Sequence, residues 1–191
     1  MDERQQQIKE GAGLEESKYN VEFIEWLQKW STPILLVIAV AALGMVVYKR
    51  IEKARIEKID QAFIELSTAT ETANANPEAL KGLAEQYENV RAVATLARSD
   101  AADQYLRAVR TGMKPGAKLN QDGSIAPEDV LSDEEKTRLL GEAERLYTEV
   151  LNKNRADSTK SILAIGAAYG LAAVAECRGQ AEAAKGFYEQ V

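Results

Sequence analysis

Side chains that could do chemistry are sparse in this sequence of 191 residues, and their types exclude most catalytic machinery. There is no histidine, and Cys177 is the one cysteine. A histidine-based catalytic triad, a histidine-ligated metal site and an intramolecular disulfide are therefore excluded. Cys177 falls in a stretch with the pattern of a packed helix and has no histidine to activate it, so we predict a buried, unreactive thiol.

Carboxylates are abundant, but no pair stands out as an acid and a base. Glu134-Glu135 and Glu142-Glu144 fall on predicted exposed helix faces, where solvated surface is their usual role. A calcium loop built on Asp122-Gly123 fails, because with Gly123 at loop position six the last ligand position is Asp129 instead of a bidentate glutamate. We therefore predict no catalytic, cofactor-binding or metal-binding residues, no cofactor, no small-molecule substrate and no enzymatic activity.

Composition points to a helical protein that does not bind nucleic acid. The net charge is −6, without the basic character that nucleic-acid binding requires. The four prolines are few, and alanine, leucine, glutamate and lysine are abundant, which is typical of an all-α protein.

Residues 30–48 are nineteen consecutive residues without a charge. A helix of that length spans roughly 28 Å, about the thickness of bilayer hydrocarbon. Aromatic rings at Trp30 and Tyr48 lie where the headgroup region favours them. The leader before this segment is long and acidic, and no small-residue cleavage site follows, so a signal peptide does not fit. We predict a retained transmembrane helix that contacts the lipid bilayer; the alternative is a buried helix, which would need a large core around it.

The sequence divides into three parts around this segment. Residues 1–20 are polar and without apolar periodicity, so we predict a disordered tail. Residues 21–50 contain an interfacial helix and the anchor, with Ser31 or Thr32 as the cap of the anchor helix and Pro33 in its first turn. The first part of this stretch has apolar residues at helical spacing: Phe23, Trp26, Leu27 and Trp30. It is either a short interfacial helix or the first turns of a longer membrane helix.

Residues 51–191 show the pattern of several further helices. The first has one apolar stripe: Ile56, Ile59, Phe63 and Leu66. Asn76 and Pro77 begin the second helix as N-cap and first residue. Residues 111–131 hold prolines and glycines and predict an insertion loop with a tight turn at Asp122-Gly123.

Two later helices have clear boundaries. Ser132 and Glu135 have the spacing of a capping box. Asp157 or Ser158 begins the next helix, and Gly179 ends it.

An internal repeat predicts stacked antiparallel helix pairs. The segment EAERLYTEV (142–150) matches EAAKGFYEQV (182–191) at a separation of 41 residues. The stretch AAYGLAAVAECRGQAEAAKGFYEQV resembles a tetratricopeptide repeat (TPR). Ala168 and Ala175 stand where that pattern prefers tryptophan and tyrosine. Val191 ends an unfinished repeat, so we expect that the chain continues or that another chain covers this edge.

The whole layout resembles the YfgM-like proteins, ancillary partners of the bacterial SecYEG translocon. The resemblance is densest in VEFIEWLQKWSTPILLVIAVAALGMVVYKRIEKARIEKIDQAF and in PEALKGLAEQYENVRAVATLARSDAADQYL. It implies a chaperone-like adaptor of the bacterial inner membrane whose protein partners are translocon or periplasmic chaperone components, and it implies no site residues. The 111–131 loop is a departure from the family.

The sequence leaves two interpretations open for the orientation of the helical domain and two for its function. More basic residues follow the anchor than precede it, which places the helical domain in the cytoplasm, whereas the resemblance places it in the periplasm. The first function is a scaffold that binds proteins, with Tyr105, Arg107 and Tyr169 as candidate contacts; ordinary packing or solvated surface is the alternative role for each. The second is a structural accessory subunit of an unrelated membrane assembly.

Overall fold

The computed structural model describes residues 15–71 and 75–190, and its regular elements are helices. The helices are α1 (Glu15–Thr70), α2 (Pro77–Gln86), α3 (Val93–Thr111), α4 (Asp133–Asn154), α5 (Ser161–Cys177) and α6 (Ala181–Tyr188), with short 3-10 helices at Pro127–Asp129 and Ser158–Lys160. Within the described ranges the one β-type pairing is an isolated antiparallel bridge between Met113 and Val130. The predicted all-α class is therefore confirmed. The chain divides into two compact units between Arg55 and Ile56.

The first unit consists of the N-terminal part of α1. From Val21 onward this helix is long and apolar enough to cross a membrane, and none of its most apolar window is buried against the protein. The segment Ser158–Cys177 passes the same test of length and composition, but 44% of its window is buried. This segment packs against neighbouring helices of the second unit.

Two predicted boundaries in α1 differ from the structure. Residues 15–20 are helical although we predicted disorder there, and residues 1–14 lie outside the described residues. Pro33 lies inside the helix and not in a first turn after a cap at Ser31 or Thr32. The helix is continuous through this region, so the stretch before Pro33 forms the first turns of a longer helix. An interior proline is tolerated more readily in apolar membrane-type helices than in soluble ones.

The second unit, from Ile56 onward, is a helical domain in which consecutive helices pack on one another. Helix α2 packs on α3, α3 on α4, α4 on α5 and α5 on α6, and α3 also contacts α5. Many of the buried positions are alanine, which lets the helix backbones approach closely. Alanines of this core include Ala84, Ala97, Ala101, Ala102, Ala143, Ala167 and Ala172.

At the start of the helical domain, the buried face of α1 differs from the predicted apolar stripe. Ala62 and Leu66 are buried and Ile59 packs against them, whereas Ile56 and Phe63 are largely exposed. The buried face is therefore centred on a small residue that the sequence pattern passes over. Large apolar residues identify a stripe, but a close helix contact selects the residue that leaves room for the neighbour.

Two predicted helix starts are confirmed by their hydrogen bonds. The backbone N–H of Glu78 donates to Oδ1 of Asn76 at 3.0 Å, with Pro77 as the first helical residue of α2. In α4 the N–H of Glu135 donates to Oγ of Ser132 at 3.2 Å, and the N–H of Ser132 donates to Oε2 of Glu135 at 2.9 Å. This reciprocal pair is the predicted capping box. The start predicted at Asp157 or Ser158 differs, because Asp157 caps the 3-10 helix Ser158–Lys160 and α5 begins at Ser161 without a side-chain cap.

Gly179 ends α5 as predicted, because it adopts a left-handed φ of +72°. The N–H groups of Gly179 and Gln180 then reach the carbonyls of Glu176 and Ala175 at 2.9 Å each. These bonds satisfy carbonyls that the helix end would otherwise leave unpaired.

The loop between α3 and α4 is closed at its base. The N–H of Lys114 donates to the carbonyl of Asp129 at 2.8 Å, and the N–H of Leu131 donates to the carbonyl of Gly112 at 2.9 Å. Gly123 lies in the predicted turn with a φ of +82°. The insertion therefore leaves and returns at one place, so α3 and α4 pack together without interruption.

Candidate protein-binding groove

A groove of about 560 Å³ runs along one face of α3. The residues that line it are Asp103, Leu106, Arg107, Arg110 and Thr111. Their spacing of three, one, three and one is that of a single helix face. Leu106 is buried and forms an apolar floor, while Arg107 and Arg110 are exposed. We call this surface the α3 groove.

Tyr147 fixes the end of the α3 groove at Asp103. Its ring is buried with 2% of its surface exposed, and its Oη donates a hydrogen bond to Oδ1 of Asp103. Behind the ring lies Gly170 of α5, where a Cβ would be 2.6 Å from Cδ1 of Tyr147. The glycine is therefore required for the ring to fit between α3 and α5.

The carboxyl groups beside Tyr147 have shifted pKa values, although Asp103 is exposed and Asp100 is half-buried. Burial raises the pKa of Asp103, and the hydrogen bond from Tyr147 partly offsets that effect. Burial also raises the pKa of Asp100, one turn earlier, and the charge of Asp103 adds to it. Burial and these two carboxyl groups together raise the pKa of the Tyr147 hydroxyl. The hydroxyl therefore remains a hydrogen-bond donor throughout the physiological range.

Arg107 and Arg110 have no carboxylate partner among residues 15–71 and 75–190. Asp103 lies one turn before Arg107, but it accepts from Tyr147. Arg98, by contrast, has a carboxylate partner: its Nε lies 3.4 Å from Oε2 of Glu149. The two arginines of the α3 groove are thus free to bind an external group.

A second groove of about 480 Å³ lies between α3 and α4. Its lining residues are Glu88, Thr95, Arg98, Glu149, Val150, Asn152 and Lys153. Arg98 and Lys153 both donate to the carboxylate of Glu88, and these bonds, that of Lys153 first, lower the pKa of Glu88. These charges already satisfy one another, so a ligand would have to break them. We interpret this cluster as a clamp between helices.

The three predicted contact residues lie in different surroundings in the structure. Tyr105 is 2% exposed and donates to Oε1 of Glu78, so it packs between helices. Arg107 lines the α3 groove. Tyr169 is 51% exposed on α5, and its ring lies 5.7 Å from that of Tyr188. Arg107 is therefore the one predicted contact that the structure brings to this groove.

Asp103 and Arg110 were missed by the sequence reasoning. Both share a helix face with Arg107, four residues before it and three after it, so the spacing alone could have grouped them. What the sequence does not reveal is the hydrogen bond to Asp103 from Tyr147, which lies 44 residues away. Without that contact, Asp103 and Arg107 look like an ordinary intrahelical ion pair.

The predicted burial of Cys177 is wrong, because the thiol is exposed. Cys177 is the last residue of α5, next to the turn at Gly179. The chain still offers no histidine to activate this thiol. Exposure makes the thiol accessible to reagents in solution.

The acidic clusters contribute to the fold. Glu135 closes the capping box, Glu142 contacts Arg145 with 3.1 Å between oxygen and nitrogen, and Glu144 contacts Arg178 at 2.7 Å. Glu134 is exposed. In the part of the chain that the structure describes, no three histidine, cysteine, aspartate or glutamate residues are grouped as metal ligands.

The α3 groove offers recognition chemistry: two guanidinium groups, one carboxyl group and an apolar floor. Such groups bind carboxylates, backbone amides and apolar side chains of another molecule. No family model matches the chain, and no curated protein or solved structure is found to be similar to it. The groove and the long apolar helix are therefore the features on which a function is proposed.

Proposed function

We propose that this protein is a non-enzymatic, membrane-anchored, TPR-like adaptor that binds protein partners beside a membrane complex such as the translocon. The observation that carries this proposal is the open α3 groove, with two unpaired arginines, on a helical domain that follows an apolar helix. A shallow, mixed polar and apolar groove on packed helices suits a peptide or a protein surface better than a small molecule.

The packing order of the helices supports a TPR-like arrangement. Consecutive helices pack pairwise, and the contact between α3 and α5 joins every second helix, as stacked helix pairs do. Ala143 and Ala184, which are equivalent in the internal repeat, are both buried. At the second equivalent pair, Tyr147 is buried, whereas Tyr188 is 41% exposed. The third equivalent position of the second copy, Val191, lies outside the described residues.

The proposed membrane anchor would favour binding of a partner that lies at the same membrane. A single span through residues 30–48 would confine the helical domain to the membrane surface, where tethering raises the effective concentration of a partner. Weak binding to a shallow groove would then suffice. We propose the bacterial inner membrane as the location, with the helical domain on the periplasmic side and translocon or chaperone components as partners.

Crosslinking and affinity purification of the full-length protein from its native membranes test this function. A variant without residues 1–50 serves as the matched control. The adaptor proposal expects translocon or chaperone components to be recovered with the full-length protein and to be lost with the control. Recovery of a stoichiometric, unrelated membrane complex would contradict it.

A second candidate, a structural accessory subunit, is favoured by exposed apolar residues on the helical domain. Ile162 is 77% exposed, and Ile165 and Tyr169 follow on the same face of α5. Large apolar surface of this kind is typical of interaction sites. Sedimentation of the variant without residues 1–50 separates the two functions, since an adaptor should be monomeric and a structural subunit should self-associate.

A further inference from the structure

We infer that the α3 groove binds a short, extended, acidic segment of a protein partner; this inference rests on the proposed adaptor function. Such a segment would place its acidic side chains over Arg107 and Arg110 and its backbone beside Asp103. The inference follows from the distribution of charge in the groove, from its apolar floor and from the contacts that hold it open.

Charge complementarity selects an acidic occupant. Arg107 and Arg110 lie one turn apart on one helix face, and the described part of the chain provides neither with a carboxylate. Arginine binds carboxylates through paired N–H donors, and its weaker hydration makes it the preferred cation at protein interfaces. Two such groups side by side fit two acidic side chains of one peptide.

Arg107 also borders a depression of about 10 Å³ next to the groove. That depression is lined by Gln104, Arg107, Ala108, Thr111, Met113, Lys114, Pro115 and Gly116. Lys114 contacts Glu135 with 3.4 Å between nitrogen and oxygen and adds a partly neutralised positive charge. The basic end of the groove therefore continues toward the base of the insertion loop.

The opposite end of the groove suits the peptide backbone. Asp103 is one of the residues that line the groove, and its Oδ1 accepts a hydrogen bond from Tyr147. A carboxylate there would repel acidic side chains but accept a backbone N–H. Leu106 between the two ends provides apolar contact. The groove thus has a direction: an acceptor at Asp103 and cations at Arg107 and Arg110.

Packing holds the Asp103 end of the groove in place. The buried Tyr147 ring, seated against Gly170, joins this end of the α3 groove to α4 and α5. Arg107 and Arg110 are exposed, so a bound partner would order their side chains.

The test uses the detergent-solubilised full-length protein and a fluorescein-labelled nonapeptide with four glutamates around one leucine. A matched peptide carries glutamines in place of the glutamates. Fluorescence anisotropy should show binding of the glutamate peptide at least tenfold tighter than binding of the glutamine peptide. Raising sodium chloride from 0.05 to 0.5 M should weaken the binding by screening. Equal binding of both peptides, or no binding of the glutamate peptide, would overturn the inference.

Substitutions at Arg107 and Arg110 test whether the peptide binds in the α3 groove. Arg107→Ala combined with Arg110→Ala should lose at least tenfold in affinity, and Arg107→Lys combined with Arg110→Lys should retain part of it. Lys118→Ala combined with Arg155→Ala removes the same charge from exposed residues outside the groove and should change affinity less than twofold. Equal losses in both alanine pairs would show non-specific attraction and overturn the inference. Circular dichroism of each variant confirms that the helices are intact.

The crosslinking purification separates this inference from the proposed function. Recovery of partners by wild type and by the Arg107→Ala, Arg110→Ala variant alike would overturn the groove and leave the adaptor standing. Peptide binding in the α3 groove, with partner recovery that does not depend on the anchor, would support the groove and contradict the tethered adaptor.

Discussion

Gly170 and Tyr147 show how one missing side chain shapes the α3 groove. The Tyr147 ring occupies the space that a Cβ at position 170 would need. Its hydroxyl is then placed to donate a hydrogen bond to Oδ1 of Asp103. A single glycine in α5 therefore helps to position a carboxyl group of α3.

We predict that Gly170→Ala destabilises the protein by about 1–3 kcal/mol, because the new methyl group overpacks the site of the Tyr147 ring. The matched control is Gly166→Ala in the same helix, where a Cβ would meet nothing within 4 Å. That control should be neutral or stabilising by up to about 1 kcal/mol, since alanine is the better helix former. Urea unfolding followed by circular dichroism measures both. Equal effects of the two substitutions would contradict the packing argument.

The pKa shifts of Asp100 and Asp157 predict opposite dependences of folding stability on pH. Burial, followed by the charge of Asp103, raises the pKa of Asp100 above its ordinary 3.8. The folded state then holds this proton more tightly than the unfolded state, so stability falls as pH rises from about 3.8 through the raised pKa. Asp100→Asn should therefore raise the urea midpoint at pH 7, and the gain should vanish near pH 3.

Asp157 provides the control of opposite sign. Hydrogen bonds from Thr159 and Lys160 lower its pKa to about 2. Its contribution to stability is present above pH 3.8 and is lost as pH falls from 3.8 toward 2. Asp157→Asn should therefore lower the urea midpoint at pH 7 and have little effect at pH 2. The same pH profile for both variants would refute these assignments.

At the scale of elements, helix boundaries were the part of the fold most open to sequence reasoning. Asn76, Ser132 with Glu135, and Gly179 all act where they were predicted, because capping depends on neighbouring residues alone. The buried face at the start of the helical domain was not predictable in the same way. There Ala62 is buried and Phe63 is largely exposed, a choice that the packing partner makes.

The capping box of α4 gives the prediction at this scale. Ser132→Ala removes the acceptor for the N–H of Glu135 and should destabilise the protein by about 1 kcal/mol. Thr148→Ala, on an exposed position in the same helix, should stay within about 0.5 kcal/mol of wild type. Thermal unfolding by circular dichroism compares the two. A loss at Thr148 as large as that at Ser132 would contradict a specific role of the cap.

The α3 groove marks the limit of sequence reasoning about the site. Arg107 was identified as a candidate because it is polar and lies on a predicted helix. Its grouping with Arg110, and the occupation of Asp103 by Tyr147, depend on how α4 and α5 pack against α3. Tyr105 was a candidate on the same grounds, and packing buries it. The spacing of residues along one helix can be predicted from a sequence, whereas side-chain contacts between helices that are distant in the sequence cannot.

At the scale of the whole molecule, the orientation of the helical domain is the property on which the proposed function depends. Lys49, Arg50 and Lys53 follow the apolar segment closely, and such a charge excess favours the cytoplasm for the residues that carry it. Folded domains nevertheless cross membranes against that bias when they are long. The proposed periplasmic partners require the helical domain to lie in the periplasm.

Cys177 makes this question measurable, because it is the one cysteine of the chain and it is exposed. We predict that a membrane-impermeant maleimide labels the full-length protein in intact bacterial spheroplasts, as a periplasmic domain requires. Cys177→Ala is the control for unspecific labelling. Detergent-permeabilised cells give the full extent of reaction, which should be close to that in urea because the thiol is already accessible. Labelling only after permeabilisation would place the helical domain in the cytoplasm, in agreement with the charge bias, and would exclude periplasmic partners for the α3 groove.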